Sequence, residues 1–466
     1  MDVTMETVMA AMVLPVPLNV ERRSDVIIWI MGILLIASFA CFVFYAMRGG
    51  NLTVGFFILT IVWLAIYFLG VAFGVGEPFD IINDVFAQPA LTYGPTIIQI
   101  VCGAWFGRVL VDTGIAASIS YRTAKVGEKS PVLATIAVAL VTCLIFTSAY
   151  GVGSAIAIGV ILFPILGHLG VPKRVSVPVF TLSIGAAMWI NSVMFAQFAA
   201  FYQNYDSPDG QVVEWGSHYL GFGIPAMVIQ MVAVIIFILI NSKAIKNGTP
   251  YEVGNPADRT GEIPQVPVWT YVLPIVPVAL SILFQWDSVP ALFLASILAF
   301  LGTGHMKTYK GFVDMLNSTA KTAIGDIGSL IIMLLVLRFF QQTAVTVMAD
   351  FGPALTSVVP NNELILGLAV CVLAPLALFR GPLELYGAGS AVIGILMGMG
   401  IFDVWFLFAM LVVPSMTCIS SCVTQSWNMW AVEYNELEPK TFLKNGVPVY
   451  WLCTFPIMGL AALTLF

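Results

Sequence analysis

Tyr150-Gly151-Val152-Gly153-Ser154-Ala155 and Tyr386-Gly387-Ala388-Gly389-Ser390-Ala391 spell Y-G-x-G-S-A twice, 236 positions apart (150 against 386). Each copy cuts a long apolar run, 131–168 in one case and 363–399 in the other, with glycines and a hydroxyl. In lipid, backbone that leaves the helix finds no water for its N–H and C=O groups, so such breaks occur where protein or a cavity covers them. The two runs read as re-entrant hairpins that meet at a site.

Composition supplies the bilayer. Of the 466 residues 59% are hydrophobic and 9% charged, and mean hydropathy is +0.97, values that exclude a soluble globular domain. The fold class that follows is an all-α polytopic membrane protein embedded in a lipid bilayer. The seven cysteines lie in or beside apolar segments without a C-x-x-C pair, so they read as small core residues rather than a disulfide framework or zinc site. The net charge of −6 is scattered through loops without a basic tract, so nucleic acid is not an expected partner. In residues 1–25, Arg22 and Arg23 follow a short apolar run, the reverse of the order in a signal peptide, and the segment reads as a retained N-terminal extension.

A spanning helix takes roughly 20 apolar residues. Such windows fall at 26–46, 53–75, 93–113, 175–202 and 218–241, and again at 268–284, 288–305, 323–346, 404–434 and 446–466. The expected layout is ten spans and two hairpins in two repeats of about five spans and one hairpin each. Repeat 1 (26–241) runs through helices 26–113, hairpin 131–168, broken helix 175–202 and a last arm, 218–241. A cytoplasmic linker, 242–267, leads to repeat 2 (268–466), with helices 268–346, hairpin 363–399, broken helix 404–434 and arm 446–466. Local matches support the pairing. Arg108-x-x-x-Asp112-Thr113 stands opposite Arg338-x-x-x-Gln342-Thr343, and Ile190-Asn191-Ser192 opposite Ile419-Ser420-Ser421, each of the latter followed by a glutamine, Gln197 or Gln425.

Loop charge gives the orientation. Lysine and arginine gather around 122–129, 173–174, 243–259, 307–321 and 440–444, which read as cytoplasmic, whereas the loops at 77–84, 206–214 and 350–363 have neither and read as outside. Hairpin 1 then enters from the cytoplasm and hairpin 2 from outside, so the repeats are inverted. Arg22 and Arg23 fall on the outer side in this scheme, against the rule, with Glu21 and Asp25 beside them.

Opposed hairpin tips near the midplane bring half-helix ends and freed backbone groups together, which suits an ion or a small substrate. The candidate substrate-binding residues are the tip residues Tyr150, Gly151, Gly153 and Ser154, with Tyr386, Gly387, Gly389 and Ser390. The broken helices are longer than a bilayer needs and polar at mid-depth, adding Asn191 and Ser192 from one and Ser420, Ser421 and Thr424 from the other. Single hydroxyls in membrane helices often only pack or bond back to carbonyls, which makes the repeat-related pairs Ser154/Ser390 and Ser192/Ser421 the stronger candidates.

Charges at this depth are scarcer. Arg380 and Glu384 lie four residues apart in hairpin 2, where a guanidinium fork suits a substrate carboxylate and a poorly solvated glutamate can carry a proton. A mutual pair that only holds the hairpin is the alternative. Arg108 and Asp112 have the spacing of an intrahelical pair. Asp326, near the start of its span, is a second candidate for cation coupling or a helix N-terminal residue. A sodium site would draw instead on neutral oxygens at Gly151, Ser154, Asn191, Gly387, Ser390 and Thr424. Neither G-x-S-x-G nor H-E-x-x-H occurs, and His168, His218 and His305 fall near helix ends, so no catalytic residue and no cofactor are expected.

The stretch Gly103-Ala104-Trp105-Phe106-Gly107-Arg108-Val109-Leu110-Val111-Asp112-Thr113-Gly114, followed by Gly127-Glu128-Lys129, resembles the signature segment of the gluconate permease family, a G-x-x-x-G-[KR]-x-x-x-D-x-G helix ahead of a loop and the first hairpin. The motif match covers about 100–168, and the likeness in architecture most of the chain. At the first hairpin tip Thr147-Ser148-Ala149-Tyr150-Gly151 replaces that family's aromatic and acidic cluster, and Gly185–Ser192 replaces its proline- and histidine-rich segment. Gluconate permeases stand with citrate, lactate and dicarboxylate permeases in the ion transporter superfamily. The resemblance implies a secondary active transporter importing a small organic anion, a carboxylate or sugar acid, with H+ as coupling ion and Na+ as the alternative. It also implies an elevator-type homodimer in a bacterial inner (plasma) membrane, with scaffold 26–113 and 268–346, transport domain 131–202 and 363–434, and supporting arms. From the residues alone, an anion channel using the hairpins as a fixed filter is the rival.

Overall fold

Helices supply all the regular structure among the described residues, 18–48, 50–126, 130–203, 205–253, 265–355 and 362–466 of a computed structural model. Within lipid only a helix or a closed barrel satisfies its own backbone, and the apolar windows are too long and too continuous for barrel strands. The first part of the N-terminal extension, Gly127-Glu128-Lys129 and the centre of the 242–267 linker lie outside the described residues.

The elements follow in order. Helices α1 (Leu18–Met47) and α2 (Leu52–Ala72) precede a π-helical turn (Ile81–Ala87) that runs into α3 (Gln88–Asp112). After α4 (Ile115–Val126), α5 (Pro131–Phe146) and α6 (Val152–His168) flank the first Y-G-x-G-S-A turn. Helix α7 (Lys173–Met188) breaks and continues as α8 (Ser192–Ala199) with a 3-10 turn (Ala200–Tyr202), bent by 67°. Helices α9 (Ser217–Ile240) and α10 (Ser242–Lys246) lead to a 3-10 turn (Val268–Val272), α11 (Val276–Phe284), α12 (Ser288–Gly302) and the 47-residue α13 (Tyr309–Leu355). Helix α14 (Glu363–Leu373) tightens into a 3-10 segment (Ala374–Arg380), and α15 (Gly389–Met399) resumes beyond the second motif. Helices α16 (Val404–Cys418), α17 (Ser426–Tyr434) and α18 (Pro439–Thr464) complete the chain.

Seven helices among the described residues are long and apolar enough to cross a membrane, or eight with the bent α7–α8 pair taken as one span. Six of the ten expected windows are among the seven, the seventh being Glu363–Arg380 of the second expected hairpin; the other four are shorter or broken, 175–202 at the bend between α7 and α8. The 268–284 window divides at 273–275, around Pro274, and α11 ends at Gln285 in the left-handed region (φ +55°). At 15 residues α12 is about 22 Å long, short of the roughly 30 Å hydrocarbon core. The 404–434 window is interrupted at 419–425.

Helices α7 and α16 are buried along nearly their whole length, on every side, and form the centre. Around them pack α5, α9 and α18, while α13 joins α2, α3 and α15. Phe340 of α13 meets Phe56 and Trp63 of α2 with ring centroids 5.6 and 5.2 Å away, and the Trp105 indole N–H donates to Thr319 Oγ1 at 2.9 Å. Peripheral helices show large apolar side chains outward, such as Ile33, Ile58 and Leu452, as a lipid solvent requires. Six cysteines are buried, but Cys41 is exposed on α1 and is not a core residue, since an outward helix face meets lipid, which is as apolar as a core.

The freed backbone at the breaks is covered by side chains from neighbouring segments. Asn191 Nδ2 donates to the carbonyls of Phe146 (2.9 Å) and Ala149 (3.1 Å) in the first hairpin, while its Oδ1 accepts from Met194 N and caps α8. In the other break Asn428 Nδ2 donates to Ile419 and Cys422 carbonyls, each at 2.8 Å. Ser415 of α16 accepts from Leu385 N and donates to Leu383 O, fastening the second hairpin. Asn191→Ala therefore strands three buried backbone groups, each costing about 1–3 kcal/mol. A clear fall in melting temperature in detergent is expected, and an unchanged one would show that the hairpin does not depend on this side chain.

Candidate functional site

Between the two hairpin turns lies a cavity of about 390 Å³. The first hairpin contributes Tyr150, Gly151 and Val152, the second Arg380 and Tyr386. Gln197 of α8 and Thr424–Trp427 at the start of α17 come from the two broken helices. The remaining wall is Asn51–Thr53 at the start of α2 and Asp326–Met333 on α13.

The two motif copies build their turns differently. Gly151 has φ +96°, a conformation that a side chain disfavours, and α6 begins at the next residue. Gly387 has no such φ; a Cβ there would collide with the backbone carbonyl of Arg380, which Ala388 N also contacts at 2.9 Å, and α15 starts only at Gly389. Phe379 and Arg380 both adopt left-handed φ values (+57° and +63°), strain of about 1–3 kcal/mol each that the surrounding contacts must hold.

One carboxamide joins the tips. Gln197 Oε1 accepts from Tyr150 Oη at 3.0 Å and from Tyr386 Oη at 3.4 Å, and its Nε2 donates to Val193 O. The Tyr386 ring stacks on Phe198 with centroids 5.0 Å apart. Beyond it, buried Arg338 and Gln341 of α13 donate to the carbonyls of Ala200 and Phe201, ending the α8 segment on α13.

Arg380 is the guanidinium in the wall. Its Nη1 lies 3.1 Å from Glu384 Oε1, and Nη2 makes longer bonds to Gln425 Oε1 (3.3 Å) and Thr424 O (3.4 Å). Glu384 is 2% exposed and sits behind Arg380, its Oε2 without a partner among the described residues. Arg108 and Asp112 pair within α3 at 2.8 Å. Asp326 is not near the start of its helix, which begins at Tyr309, roughly five turns earlier; its carboxylate instead abuts Gly153 at the start of α6.

The cavity thus gathers Tyr150, Gly151, Arg380, Tyr386, Thr424 and Asp326 from the residues expected at a site, and leaves others behind the surface. Ser154 donates to Tyr150 O (3.1 Å), Ser390 to Gly387 O (2.8 Å) and Ser420 to Thr417 O (2.6 Å), all local back-bonds. Gly153 and Gly389 lie within the first turns of α6 and α15, and Ser192 opens α8 behind its cap Asn191. Ser421 is buried against Gly446 of α18. Gln197 and Gln425 carry a sequence signal, the glutamine after each broken-helix match. Trp427, an aromatic ring of the second broken helix that suits a partly apolar anion, lines the wall as well, whereas nothing in the sequence points to Asn51 or Thr53.

Three helices, α2, α6 and α17, begin in this wall. A helix start presents unbonded N–H groups and roughly half a positive charge, so with Arg380 the surface favours an anion.

No protein-family model matches the chain, and no curated protein matches it in sequence. Among solved structures it is similar to the crystal structure of the YdaH transporter from Alcanivorax borkumensis, described as having an unusual topology. The TM-score is 0.54 at 14% identity, over 88% of this chain and 97% of that one. The likeness shows a shared fold.

Replacing Gln197 with leucine leaves the Tyr150 hydroxyl without its acceptor, at about 1–3 kcal/mol, and the Tyr386 hydroxyl with only the weak acceptor Met194 Sδ at 3.4 Å. Faster amide exchange in both turns, 147–153 and 381–389, is the expected outcome by mass spectrometry. Unchanged exchange in either turn would show that Gln197 does not hold that tip.

Proposed function

We propose that this chain is a secondary active transporter that imports a small organic anion, a carboxylate or sugar acid, together with a proton. What carries the reading is one cavity between two hairpin turns, lined by Arg380 and by three helix starts. The shared fold with a transporter and the resemblance of Gly103–Gly114 to the gluconate permease signature segment support the same class.

Arg380 receives the carboxylate. Its bonds to Thr424 O and Gln425 are long, and an incoming bidentate anion replaces them with shorter charge-assisted ones. Such a ligand shares the guanidinium with Glu384, and a proton on Glu384 relieves the repulsion between the two carboxylates. Anion and proton then bind as a pair. Sodium is the alternative: the Ser154 and Ser390 oxygens keep lone pairs while donating to carbonyls of their own turns, but Asn191 is committed to three backbone groups.

The order of hairpin and broken helix, α5–α6 then α7–α8 and α14–α15 then α16–α17, supports two repeats, and the loop charges support their inversion. In this reading hairpins and broken helices, 131–202 and 363–434, move as one transport domain against a scaffold of 26–113 and 268–346, in an elevator-type cycle. The site residues would be the cavity-lining ones above with the tip glycines and hydroxyls behind them. A homodimer in a bacterial inner membrane belongs to the same proposal.

A thermal-shift panel of organic acids on purified protein identifies a ligand, and uptake into proteoliposomes tests the rest. Arg380→Lys keeps the charge but loses the fork, and uptake is expected to fall at least about tenfold, or 1.4 kcal/mol, with the melting temperature retained. Glu384→Gln is expected to abolish uptake driven by a pH gradient while leaving ligand counter-flow. Normal transport by the lysine variant would reduce Arg380 to a partner for Glu384. A strict sodium requirement that survives Glu384→Gln would overturn proton coupling, and non-saturable flux without counter-flow would indicate a channel.

A further inference from the structure

The charges around the cavity do not balance. Arg380 is paired with Glu384 and Arg108 with Asp112, whereas Asp326 makes no hydrogen bond or ion pair among the described residues. Its charged neighbours are the two members of the Arg108–Asp112 pair, Arg108 acting the more strongly, and the start of α6 beside Gly153 adds a partial positive charge but no side-chain cation. Asp326 is exposed to the cavity from α13, and Ser329, Leu330 and Met333 continue that wall. A bare anion bound at Arg380 would share the cavity with this second carboxylate, and like charges repel.

We infer that Asp326 is the subsite for a cationic group on the ligand itself, so that the transported carboxylate carries an ammonium, as an amino acid or short peptide does. The inference rests on the assignment of the ligand carboxylate to Arg380. Arginine and aspartate then bind the two ends of one zwitterion, and the rings of Tyr150, Tyr386 and Trp427 with Leu330 and Met333 surround its carbon body. The cavity volume of about 390 Å³ accommodates such a body. A metal ion is the poorer occupant. No group of three or more His, Cys, Asp or Glu able to hold one occurs among the described residues, and the side chain next to Asp326 in the wall is the apolar Ile327.

The test compares matched acids that differ in the amino group: phenylalanine with 3-phenylpropionate, glutamate with glutarate, and alanyl-alanine with its N-acetyl form. Thermal shift is measured on the purified full chain over a concentration series, in sodium chloride and in choline chloride. For at least one pair, the amino member is expected to stabilise the wild type at about tenfold lower concentration or less, a difference of 1.4 kcal/mol. In Asp326→Asn the preference is expected to reverse, because the ammonium loses its partner and the bare anion loses a repulsion. Equal shifts within every pair in the wild type, or an amino preference that persists in Asp326→Asn, overturn this inference and leave the carboxylate site standing. Stabilisation by sodium that Asp326→Asn abolishes, without an amino preference, assigns the residue to a metal ion and also overturns it. No shift from either member of any pair overturns the carboxylate assignment at Arg380 along with it.

Discussion

Backbone polar groups that leave a helix at membrane depth need a partner, and the structure depends on how that need is met. The chain breaks in both hairpins and in both long central helices, and at each break side chains from a neighbouring segment take up the freed groups. Asn191 serves the first hairpin and its own helix cap at once, Asn428 the break after α16, and Ser415 the second hairpin. Because Asn191 and Ser415 each tie a hairpin to a broken helix, hairpins and broken helices form one packed unit. That coupling is what allows a cavity to exist between the turns without exposing backbone to lipid.

Gln197 adds a second level of connection. Its carboxamide oxygen accepts from a tyrosine of each motif copy, so the two tips are registered to each other through a third element. Arg338 and Gln341 then anchor the end of that element on α13, the helix that also carries Asp326. Arg338 is 4% exposed and has no acidic partner among the described residues; it donates to the Ala200 carbonyl at a helix C-terminal end, where the macrodipole favours a cation, and to Gln341 Oε1. In the proposed transport cycle these are contacts between the moving unit and the scaffold, and each has to be broken and remade.

The motif that opens the chain's interpretation is less symmetric than its letters. Gly151 serves a backbone conformation and Gly387 a close approach, and the helices that follow begin at different motif positions. The hydroxyls that looked like ligands bond back into their own turns, a behaviour common for serine in membrane helices. Meanwhile the second hairpin alone carries a charge pair, held beside strained backbone at Phe379 and Arg380. Duplicated sequence here marks duplicated turns, while the chemistry is concentrated in one of them.

What the sequence by itself determined is the local part: an all-helical membrane-spanning chain, glycine breaks inside apolar runs, and the i to i+4 pairs at Arg108–Asp112 and Arg380–Glu384. Hydropathy, helix length and side-chain spacing are properties of neighbouring residues, so they can be read along the chain. Only the tertiary structure decided that Asn51, Gln197, Asp326, Arg380 and Trp427 share one wall, that Asp326 faces the start of α6 rather than of its own helix, and that Ser154 and Ser390 turn away. Those facts depend on which helices lie side by side and how each is rotated, and in a chain apolar on most faces no periodicity records that rotation.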